Sequence, residues 1–261
     1  MTFQPYVPTG GLGGWRFLQA TLPTQKAAFE AGGAIRADMA YFRDRIADIQ
    51  TPQDLVSDFR LLKVALGAFG LSDEIGSPYL IRKVLEEGTL DPGALANRLS
   101  DKRYRDLSKA FGFGDFAVPN TVMSDFPDSI ERRYMDREFE IAVGRTDEAM
   151  RLALNARREL PALAAGTGSD LAKWYTLMGT PSLRTVLEGA LGLPQSFAAL
   201  PIDKQLAIFR DRSEAAFGTS EVGKLGSGET VGRLIDRFAV RAGFETRSAI
   251  TSPALQILRG Y

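Results

Sequence analysis

Neither histidine nor cysteine occurs in this chain of 261 residues. Without histidine, the commonest general base and the commonest zinc and copper ligand are missing. Without cysteine there is no thiol nucleophile and no disulfide framework. A serine-hydrolase triad cannot be assembled, and neither Gly-x-Ser-x-Gly nor Ser-x-x-Lys occurs. Net charge is absent too: 32 Lys and Arg balance 32 Asp and Glu, which argues against a dedicated binder of nucleic acid or acidic membrane. No run of about 20 apolar residues is present to span a bilayer. Met1 to Gly14 carries no basic residue and no apolar run of signal-peptide length. The expectation is a non-enzyme without cofactor or metal, with no nucleic-acid partner and no membrane insertion. Its place is either the bacterial cytoplasm or outside the cell, exported without a cleaved signal.

What is present is ordinary for a globular protein: 44% hydrophobic and 25% charged residues, enough for one large or two smaller domains. Of the basic residues 24 are arginine and 8 lysine, which reflects either a GC-rich coding genome or an arginine-rich interface.

Periodicity predicts an all-α fold, a compact multi-helix array of short and medium helices with no period-two strand. Residues 1–20, with Pro5, Pro8, Gly10, Gly11, Gly13 and Gly14, read as a flexible arm. A helix over 34–49 carries the apolar stripe Ile35, Met39, Phe42, Ile46 and Ile49. Thr51-Pro52 opens a second, with Leu55, Phe59, Leu62, Leu66 and Phe69 inward and Gly70 as its stop. Shorter helices follow at Ser77-Pro78, at Asp91-Pro92 and at Ser100 or Asp101, the last with Tyr104, Leu107 and Phe111 on one side. Residues 21–117 form an N-terminal helical part, 118–127 a linker or hinge, and 128–261 a C-terminal helical part, unless the whole is one continuous domain. The C-terminal part reads as charged helices from Asp128 and Thr146, then helices from Ser169, Thr180-Pro181, Pro201 and Glu229. The run from Gly76 to Glu86 echoes that from Gly179 to Glu188, through either an ancient internal duplication or shared capping chemistry.

Tests for chemistry return little. Gly218 to Lys224 has phosphate-loop spacing, but Leu225 stands where serine or threonine must bind magnesium, and a helix precedes it in place of a strand. Asp38, Asp44 and Asp48 lie among arginines, and nothing has the spacing of a calcium loop. The most distinctive polar cluster is Asn97, Arg98, Asp101, Arg103 and Tyr104. It falls where one helix ends and the next begins, as a structural corner or as a site for a small anion.

That corner, Ala96 to Tyr104 followed by Ala110 to Phe113, is similar to the most typical stretch of the alphaproteobacterial proteins grouped as domain of unknown function 1217 (DUF1217). Trp15 to Leu18, Tyr41-Phe42, Asp54 to Leu71 and Ile81 to Glu86 resemble the same family. So do Gly192 to Pro194, Ser196-Phe197, Gln205-Leu206 and Phe209 to Asp211, so the likeness runs from about Gly11 to Phe217. The resemblance implies a helical fold and a flagellar setting, and it assigns no reaction and no catalytic residue. The expected function is therefore non-enzymatic and flagellum-associated, through contacts with other flagellar or assembly proteins. Such a protein acts as an exported structural component or as an assembly factor. The competing expectation is a cytoplasmic regulatory or small-anion-binding module. The oligomeric state is left open.

Overall fold

In the computed structural model, which describes residues 3–258 and the side chains of 3–244, every regular element among the described residues is helical. The all-α expectation holds. The α-helices are α1 (Gly11–Glu30), α2 (Gly33–Arg45), α3 (Pro52–Ser57), α4 (Phe59–Phe69), α5 (Pro78–Glu87), α6 (Leu95–Arg98) and α7 (Arg103–Phe111). They continue as α8 (Phe126–Gly144), α9 (Glu148–Ala165), α10 (Asp170–Gly179), α11 (Pro181–Leu191), α12 (Ile202–Phe217), α13 (Val222–Leu225) and α14 (Gly228–Leu258).

Two compact units result. The first comprises Met1–Gln4 and Thr24–Phe139, the second Pro5–Pro23 and Glu140–Tyr261. The boundaries fall inside α1 and α8 and not in the segment 118–127. That segment contains a 3-10 turn over Asn120–Val122, and α8 begins at its end. It is pinned at two points: Asn120 Nδ2 donates to the Ala110 carbonyl (2.9 Å), and Thr121 Oγ1 to that of Ile49 (2.7 Å).

In the first unit the core forms around Phe42, Ile46, Leu55, Leu66, Phe111 and Tyr134, all but sealed from solvent. The stripe of α2 packs there as its spacing predicts, with Ile35 and Ile49 at the margin. The helix expected from Thr51 to Gly70 is two helices. Thr51 and Asp54 form a capping box that starts α3. Asp58 then leaves helical geometry at φ −102°, and its carboxylate accepts the N–H groups of Arg60 and Leu61 to cap α4. A short polar side chain competing for backbone donors breaks the register. The inward set becomes Leu61, Leu62, Ala65, Leu66 and Phe69, and Phe59 is turned out, 65% exposed.

Helix α5 starts at Pro78, and neither Ser77 nor, before α11, Thr180 makes a side-chain capping bond. The two echoing segments become these helices, one in each unit, each with proline in the first turn and the same buried triplet: Ile81, Val84, Leu85 and Leu183, Val186, Leu187.

In the second unit the expected N-terminal arm is helical from Gly11 onward, as the start of α1. Its glycines serve close approach, not mobility. A Cβ on Gly14 would lie 1.7 Å from the Thr9 carbonyl oxygen, and Gly11, at φ 70°, packs against the Gly243 backbone. Trp15 and Leu18 are fully buried. Trp174 stacks with Phe209 across α10 and α12 and donates to the Ser220 carbonyl (2.9 Å). Ser169 caps α10 through the Ala172 N–H. The phosphate-loop look-alike is the left-handed cap of α12 at Gly218 followed by the single turn of α13, with Lys224 paired to Glu221.

Candidate functional site

Helix α5 ends at Gly88, whose φ of 71° suits a residue without a Cβ, and the chain then loops to α6 through Thr89 to Ala94. A loop of this kind leaves backbone groups to be satisfied, and four side chains do it, Asp91 within the loop by accepting the Gly93 N–H (2.8 Å) and three from its flanks. The Asp115 carboxylate accepts the Thr89 N–H (2.5 Å), the Thr89 hydroxyl (2.8 Å) and the Leu90 N–H (3.0 Å). Glu87 Oε2 accepts the Leu95 N–H (2.6 Å), and that bond draws its pKa below the ordinary glutamate value. From the far side, Asn97 Nδ2 donates to the carbonyls of Thr89 (2.9 Å) and Asp91 (2.7 Å).

The turn from α6 to α7 is braced in the same manner. Lys102 Nζ donates to the carbonyls of Leu99 (2.8 Å) and Asn97 (3.2 Å). Asp101 accepts the Arg103 N–H (2.9 Å) and pairs with the Arg103 guanidinium (2.7 Å). Burial works against the Asp101 carboxylate, but these Arg103 donors still hold its pKa below the usual aspartate range. Arg103 Nη1 also donates to the carbonyl of Gly70, the left-handed cap of α4. Tyr104 is buried below, its hydroxyl bonded to Glu74, and burial followed by that acidic neighbour pushes its pKa up to about 12. Arg98 lies exposed with Glu87 as a charged neighbour, and among the described residues its side chain makes no hydrogen bond.

Of the five corner residues, four are therefore brought into one brace around helix ends, and Arg98 is left outside it. Arg103, which an anion site would need, is committed to Asp101 and to a helix carbonyl. Asp115 and Glu87, which complete the brace, do not stand out in the sequence. The one hint is an acid directly after Gly112-Phe113-Gly114, in a stretch too rich in glycine for a helix. Among the described residues no three acidic side chains converge as a metal-holding cluster, and no helix is long and apolar enough to cross a membrane.

The brace fixes a surface. Leu90 is 71% exposed, Phe116 55% and Val118 62%, and Val122 and Met123 are exposed on the same connector. Leu90 is held beside Asp115 by its own N–H bond. The Phe116 ring rests over Gly112, where a Cβ would come within 2.7 Å of it.

The crystal structure of protein AGR_C_984 from Agrobacterium tumefaciens shares this fold, with a TM-score of 0.73 at 24% identity, over 91% of this chain and 97% of that one. No curated protein matches. A family model described as Protein of unknown function (DUF1217) matches residues 68–224, a span that contains both the braced corner and the exposed face. It covers more than half of the chain, which therefore belongs to the DUF1217 family.

Proposed function

We propose that this is a non-enzymatic protein of alphaproteobacterial flagella that works through protein contacts, as an exported structural component or as an assembly factor. The observation that carries the contact role is that large apolar side chains stand in solvent on two connections tied together by Asp115, Leu90 on the braced loop and Phe116 and Val118 beyond Asp115. Exposed apolar side chains gathered on one surface mark interaction sites, whereas single scattered ones need no explanation. The polar corner supports the same reading, because its side chains are spent on backbone groups and hold the loop in place. The flagellar and alphaproteobacterial setting is supported by the sequence resemblance alone.

The test is whether untagged protein appears in purified flagella and in the medium of normal cells but not of cells lacking flagellar export. Export-dependent appearance is expected of a structural component. Retention inside both strains, with normal flagella when the gene is deleted, would sink the flagellar role altogether; retention with defective flagella would identify an assembly factor.

A further inference from the structure

We draw no further inference here: the strongest candidate, the open cleft at the break between α3 and α4 lined by Arg45, Asp54, Asp58, Arg60 and the exposed Phe59, sets two acids against two bases, so nothing in the structure shows what fills it.

Discussion

Asn97 satisfies two carbonyls with one amide group. Asn97→Ala would leave the Thr89 and Asp91 oxygens without that donor, and the expected cost is about 1–3 kcal/mol in urea unfolding. Tyr104 supplies a pH-dependent term. Its hydroxyl titrates at about 12 in the fold, against an ordinary value of 10.0, so between those limits the native state binds more protons than the unfolded chain. Its contribution is complete below pH 10 and is lost as pH rises toward 12, by at most about 1.4 kcal/mol per pH unit. Unfolding measured from pH 9 upward should show that decline, and Tyr104→Phe should flatten it; an unchanged slope would refute the assignment. At this scale the sequence displays the residue types of the corner but not their partners. Arg103 meets a carbonyl 33 residues away and Thr89 a carboxylate 26 residues away, and only tertiary packing brings such pairs together.

The elements whose stripes are longest were the most legible. The apolar set of α2 and the Tyr104, Leu107 and Phe111 set of α7 both go inward, because helical period and burial agree there. The break between α3 and α4 was hidden for a physical reason. Phe59 and Leu62 both fit an i, i+3 stripe, and nothing in that spacing shows Asp58 capturing two amides and resetting the register. The consequence is measurable: Leu62→Ala should cost about 2–5 kcal/mol, as for other buried leucines. Phe59→Gln should stay within about 0.5 kcal/mol, the range of a surface change. Equal losses at the two positions would restore one unbroken helix. The glycines near the N-terminus misled in the opposite direction. Composition links them to mobility, whereas here a missing Cβ lets backbone meet backbone.

For the whole molecule, the net charge of zero is kept locally too, since Arg82, Lys83 and Arg43 meet four of the acids in segments 84–97 and 110–131, which hold no base of their own. The braced face was legible only in part, because exposure depends on which side of a loop the surrounding packing turns outward. The closing of the second unit also bears on how the protein is made. Arg16 pairs with Asp236 on α14, 220 residues later, and the Gly11 backbone meets that of Gly243. At about 5–20 residues per second, a ribosome needs on the order of 10–40 s to cross that interval. Throughout it, Gly11 and Arg16 have been synthesised but lack their partners on α14. All of residues 24–139 emerges within the same wait, so the first unit has its whole chain in hand well before the second. The Arg16 and Gly11 contacts with α14 therefore form only after that interval.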